Sequence, residues 1–118
     1  MSAAVETEIA APNAGEQLWL ELWISLASLL RSYTAVHGLN GNRQAMVELG
    51  EKRILVRHAE QWLDLERQRA AVQWKRDDGQ AGVLELTETG RLRSGADEEE
   101  MDMAAERWAR DLMRESQR

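Results

Sequence analysis

The chain has no cysteine, no phenylalanine, one proline and only two histidines in 118 residues. Without cysteine there can be no disulfide, no thiolate metal site and no cysteine nucleophile. The two histidines lack convincing carboxylate partners for a metal site. His37 ends a helix, where an imidazole complements the dipole, and His58 ends a strand, where it reads as structural. Bases are scarce at the start: up to Asn40 only Arg31 stands against Glu6, Glu8, Glu16 and Glu21. Over the whole chain, 15 basic and 21 acidic residues leave a net charge of −6. That balance argues against a general nucleic-acid binder, whose phosphate contacts need clustered Lys and Arg. No apolar run reaches the ~20 residues of a membrane span, because Glu21 interrupts the best one and Arg31 closes it. The residues before that run carry acids and no base, unlike a signal peptide. The expectation is a soluble, cytoplasmic protein with no membrane contact.

Catalytic patterns are missing as well. Gly38-Leu39-Asn40-Gly41 has neither the Lys-Ser/Thr of a P-loop nor a strand before it. Ser25, Ser28 and Ser32 have no histidine placed to activate them. Asp64 and Glu66 fall on one side of a strand, as the paired carboxylates of a glycosidase could, but no further component joins them. Asp77 and Asp78 belong to a turn, and Asp97 to Glu100 lack the alternation and central glycine of a calcium loop. No catalytic residue, metal or cofactor is expected, and the protein reads as a non-enzyme.

What the chain does have is apolar surface in a helix. Leu18, Trp19, Leu22, Trp23, Leu26, Leu29, Leu30, Tyr33 and Val36 fill one broad arc of a helix over residues 16–37. Leu20, Ile24 and Ala27 form a second sector at i, i+4 and i+7. A surface helix usually shows one apolar stripe, so two sectors predict cover from two sides. Residues 1–15 are small, polar and aperiodic, hold the only proline, and are expected to be disordered and dispensable for folding.

From Gln44 the apolar period becomes two. Val47 and Leu49, then Ile54, Val56 and His58, Leu63 and Leu65, Val72 and Trp74, and finally residues 83–87 mark strands separated by turn signals. Asp78-Gly79 is the clearest hairpin signal. Residues 59–74 favour helix by composition, yet Trp62, Leu65, Ala71, Val72 and Trp74 form no helical face, which selects strands. The last helix is expected to be capped by Asp97, with Glu100 as its capping-box partner and Met101, Ala104, Ala105, Trp108, Leu112 and Met113 on its apolar face.

Together these elements predict one α+β domain over residues 16–118. It consists of a long N-terminal helix, an antiparallel meander of four to five strands and a C-terminal amphipathic helix, with both helices on one face of the sheet. Trp62, Leu55, Val83 and Met46 then point outward among Arg57 and Lys75. That set describes an interface core with a polar rim better than a base-stacking sheet. The expected function is a non-enzymatic protein-interaction module: an adaptor, a chaperone-like protein or a complex subunit. It is expected to be homodimeric, with Leu20, Ile24, Ala27, Leu55, Trp62 and Val83 as contact residues. Two alternatives are a small apolar-ligand binder, with a cavity near Trp19, Trp23 and Trp74, and a single-stranded nucleic-acid binder that uses the sheet face.

Overall fold

The computed structural model describes residues 2–38 and 44–115, with side chains described from Gly15 to Gly38 and from Gln44 to Arg114. A helix, α1 (Ser2–His37), precedes seven strands: β1 (Met46–Leu49), β2 (Arg53–His58), β3 (Gln61–Gln68), β4 (Ala71–Arg76), β5 (Ala81–Leu86), β6 (Arg91–Ser94) and β7 (Asp97–Glu100). A second helix, α2 (Met101–Glu115), closes the chain. The fold is α+β as expected. The strands form one sheet in chain order, and each neighbouring pair is antiparallel. α1 begins at Ser2 and not near residue 16 as expected, so the backbone of residues 2–15 continues the helix. The side chains before Gly15 lie outside the described residues.

Period-two alternation decides which side of each strand is covered. Ile54, Val56, Leu63, Leu65, Val72, Leu86 and Leu92 are buried against the helices. Their register confirms a common face: Ile54 pairs with Leu65 and Leu65 with Trp74, while Val56 pairs with Leu63. The helix-favouring stretch at 59–74 is strand because both of its neighbours pair with it. Its two hairpin turns use positive φ at non-glycine residues, 57° at Ala59 and 55° at Arg69. Two-residue turns require such angles, but Ala and Arg do not advertise them.

The sheet has seven strands where four to five were expected, and the two that alternation did not mark, β6 and β7, lie at its end. Asp97 is not a helix cap. Asp97–Glu100 is β7, paired with β6 through Arg91↔Glu100, Leu92↔Glu99 and Arg93↔Glu98. The physical reason is cross-strand charge pairing: Arg91 contacts both Glu98 and Glu100, at 3.5 and 3.1 Å. An acidic run suits a helix start equally well, and only the basic strand opposite it separates the two readings. The helix begins one residue later, at Met101.

Both helices lie on the inner face. Met101, Ala104, Ala105, Trp108, Leu112 and Met113 of α2 are all buried, as its periodicity predicts. On α1 the buried stripe is Trp23, Leu26, Ala27, Leu30 and Thr34. The two apolar sectors of this helix are therefore one, centred on Trp23. At about 100° per residue, Ala27 and Leu20 lie only about 40° and 60° from Trp23. Ala27 is fully buried within its own chain, Leu20 is half-buried, and Ile24 at the rim is 44% exposed. Gly38 ends α1 without a positive φ. A Cβ there would meet Met113 Cε at 2.7 Å, which that flexible side chain can relieve, and the Thr34 carbonyl oxygen at 3.0 Å, which is tight.

Candidate interaction surface

Two hydrogen bonds fix α1 beside the first strand. Trp23 Nε1 donates to Gly50 O at 3.1 Å, and Arg31 Nη2 donates to Val47 O at 3.4 Å. Eight residues of helix, about 12 Å, thus run alongside three residues of strand, about 10 Å, in the opposite direction. The flank of α1 that carries Leu20, Ile24 and Arg31 lies next to the free edge of β1.

That edge has open backbone groups. Among the described residues, β1 is an end strand of the sheet and pairs only with β2. Gly50 N donates to Arg53 O at 2.7 Å, and antiparallel ladders alternate. The groups of Glu48 and Met46 therefore face β2, while those of Val47 and Leu49 face away. The bond from Arg31 to Val47 O fits this alternation. Met46 on the outer face is 60% exposed and Leu49 on the helix-covered face 36%, so the open backbone carries an apolar side chain on each face. A cavity of about 350 Å³ lies between the strand and the helix, lined by Arg31, Thr34, Ala35, Gln44, Ala45 and Val47. The opposite edge of the sheet, β7, is a run of four acids.

The outer sheet face carries the other expected contact residues without joining them. Leu55 and Trp62 are half-buried diagonal neighbours on β2 and β3, with Leu55 opposite Asp64 and Trp62 opposite Arg57. Val83, 62% exposed, lies three strands from Leu55, with Asp64, Lys75 and Gln73 between them. Most bases on this face are neutralised. Arg53 grips Asp64 through two bonds of 2.9 Å, Arg57 meets Glu48 at 2.7 Å, and Arg93 meets Glu85. Asp64 and Glu66 are on this outer face, while His58 is buried on the inner one. The sheet itself keeps these three from converging.

A polar seam joins the helices. Tyr33 donates to Asp102 Oδ1 at 2.7 Å, and His37 Nε2 lies 2.8 Å from Glu106, which also accepts from Arg110 at 3.0 Å. The hydrogen bond to the Asp102 carboxylate, then desolvation, raises the Tyr33 hydroxyl above its ordinary value of 10.0. Tyr33 is the only tyrosine, so ultraviolet titration of tyrosinate reads it alone. The apparent pKa is expected above 10 in the native protein and nearer 10 in Asp102→Asn. The stabilisation from this bond is present below the unfolded value and is lost as pH rises through the folded one.

Among the described residues, Trp19, Trp23 and Trp74 do not line one common cavity. Trp23 is fully buried, and Trp19 lines a depression with Glu16 and Arg69. Trp74 borders an open cleft of about 630 Å³ with Trp108, Ser94, Asp97, Glu99 and Arg107. Its indole lies against Gly82, where a Cβ would come within 2.6 Å of Nε1. The Trp74 and Trp108 rings are 6.5 Å apart and tilted by 53°. Arg107 covers Trp108 at 5.5 Å and bonds to Glu99 at 2.7 Å.

The sequence reading also missed an ionic node inside the sheet. Arg67 has a fully buried side chain that donates to Glu16, Glu51 O and Arg69 O and lies 5.8 Å from the Trp23 ring. The signal was present: Leu63, Leu65 and Arg67 share one parity and therefore one face. Among the described residues, no group of three or more His, Asp or Glu side chains could hold a metal ion. No described helix is long and apolar enough to cross a membrane.

These features define a class by architecture: an α+β protein in which an antiparallel meander carries two helices on one face and leaves one apolar edge open. Comparison with family models, curated proteins and solved structures finds no match.

Proposed function

We propose that the protein is a non-enzymatic protein-interaction module, an adaptor, chaperone-like protein or complex subunit, and that it works as a homodimer. The observation that carries this reading is the β1 margin, where among the described residues the outward Val47 N–H and both outward Leu49 groups have no partner and Met46, Leu49 and, on α1, Ile24 are exposed. Strand addition at an open edge gains main-chain hydrogen bonds, and adjacent apolar side chains supply specificity. A small-ligand role draws less support, since Trp19, Trp23 and Trp74 are distributed over separate environments. A nucleic-acid role draws less again, because Arg53, Arg57 and Arg93 on the outer face are held by carboxylates.

Leu49→Pro tests the reading. Proline removes the outward N–H of Leu49 but no donor of the β1–β2 ladder, and edge strands tolerate it at such a position. The wild type is expected to associate at micromolar concentration in light scattering. Leu49→Pro is expected to be monomeric with nearly unchanged far-UV circular dichroism. Equal association of the two proteins would remove the β1 edge from the interface.

A further inference from the structure

We infer that the occupant of the α1–β1 margin is a second copy of this chain, related by a two-fold axis that passes beside Ile24 and Leu49. The inference rests on reading this margin as a docking surface. Its first support is charge. Arg31 is the only base in the first 40 residues, and among the described residues its one bond is to Val47 O. Glu21, also exposed and about 80° round the helix from Arg31, bonds among the described residues only to Gln17, at 3.2 Å. These two charges lie ten residues apart, with their midpoint at Leu26. An antiparallel pair of α1 helices centred there brings each Arg31 to the second copy's Glu21. The chain's own unpaired charges thus complement each other twice, once on each side of the axis.

The second support is the strand register. Trp23 is tied to Gly50 and Arg31 to Val47, so the point midway between Glu21 and Arg31 is level with Leu49. A two-fold at Leu49 pairs the outward-facing N–H and C=O of Leu49 with those of the second copy's Leu49. Ile24 and Leu49, at 44% and 36% exposure, then sit at the axis. This register also sets Glu48 opposite Gly50 of the second copy and keeps the two Glu48 carboxylates apart.

The third support is the opposite edge. A head-to-tail stack would place β1 on β7 and would not close. Two β7 edges would bring four acids against four, and like charges across strands repel. β1 carries no proline or lysine to block pairing. A closed dimer through β1 is the edge-to-edge assembly that remains. A four-residue edge alone falls far short of the ~800 Å² per partner of a stable interface, so the α1 flank must share the contact.

The test is a charge exchange followed by sedimentation equilibrium at low salt. Glu21→Arg and Arg31→Glu each place like charges together on both sides of the axis. Each is expected to weaken the dimer by on the order of tenfold. The double variant Glu21→Arg/Arg31→Glu is expected to return to within about twofold of wild type, since the pairs re-form with exchanged signs. In this cysteine-free chain, Leu49→Cys is expected to give a covalent dimer with a short thiol-reactive bifunctional cross-linker, because the register sets the two positions directly opposite. A hydrogen-bonded pair holds their Cβ atoms wider than a direct disulfide needs. If Leu49→Pro dissociates the wild-type assembly but the double exchange gives no rescue and Leu49→Cys no cross-link, the two-fold geometry is wrong and the docking margin stands. A wild-type monomer at high micromolar concentration overturns both.

Discussion

Arg67→Ala is expected to lower the unfolding free energy by about 1–3 kcal/mol, the cost of leaving buried acceptors without their donor, since the Glu16 carboxylate it releases is half-exposed and can be solvated. The Arg67 side chain is wholly buried on β3 and gathers three parts of the fold. Its Nη2 donates to Glu16 at 2.9 Å on α1 and to Glu51 O at 2.7 Å in the β1–β2 turn, and Nη1 donates to Arg69 O at 3.2 Å in the next turn. Truncation leaves two carbonyls without their donor and opens space beside Trp23. Arg67→Lys should recover little, because one ammonium cannot reach several acceptors in the planar fork of a guanidinium. Chemical denaturation monitored by circular dichroism and tryptophan fluorescence measures the loss, and a value under about 1 kcal/mol would mean that the node is incidental. The same hydrogen bond holds the Glu16 carboxyl below its ordinary value of 4.5. The contribution of that pair is therefore complete above the unfolded value and fades as pH falls through the lower folded one.

Trp23→Ala is expected to cost a further 3–5 kcal/mol or so, the usual range for emptying a buried aromatic site. Trp23 has no exposure, fills the centre of the α1 stripe and donates through Nε1 to Gly50 O. Trp23→Phe separates the two contributions. It keeps most of the apolar volume and loses the bond, worth roughly 0.5–1.5 kcal/mol. Since Arg67 stacks at 5.8 Å from the indole, the two truncations should not add. A double-mutant cycle is expected to show a coupling of about 0.5–3 kcal/mol. Exact additivity would mean that helix and hairpin are held by independent contacts.

Much of the fold was legible in the chain itself. Alternation in Ile54-Leu55-Val56, Leu63-Asp64-Leu65 and Val72-Gln73-Trp74 assigned each side chain to the face it occupies, because a strand has only two faces and one of them must be dry. The same rule placed Arg67 inside, although charge made the placement easy to overlook. The apolar face of α2 was equally plain, since Met101, Ala104, Ala105, Trp108 and Leu112 keep helical spacing. Less legible was the β6–β7 hairpin. Its acids suit a helix start as well as a strand, and its turn has the short signature Gly95-Ala96, with φ of 63° at Gly95.

The candidate surface divides along the same line. Sequence alone determined that α1 carries more apolar area than a narrow stripe uses, that the chain has no thiol chemistry, and that Leu55, Trp62 and Val83 share the outer face. Those properties follow from composition and local period, which need no knowledge of neighbours. Tertiary structure decided which of these residues meet. It drew Ala27 into the core, left Ile24 at the rim, and set Val83 three strands away from Leu55. It also decided that β1 is an end strand and that the Arg31 flank of α1 lies along it. Strand order and helix placement arise from contacts between residues far apart in the chain, and no local pattern encodes them.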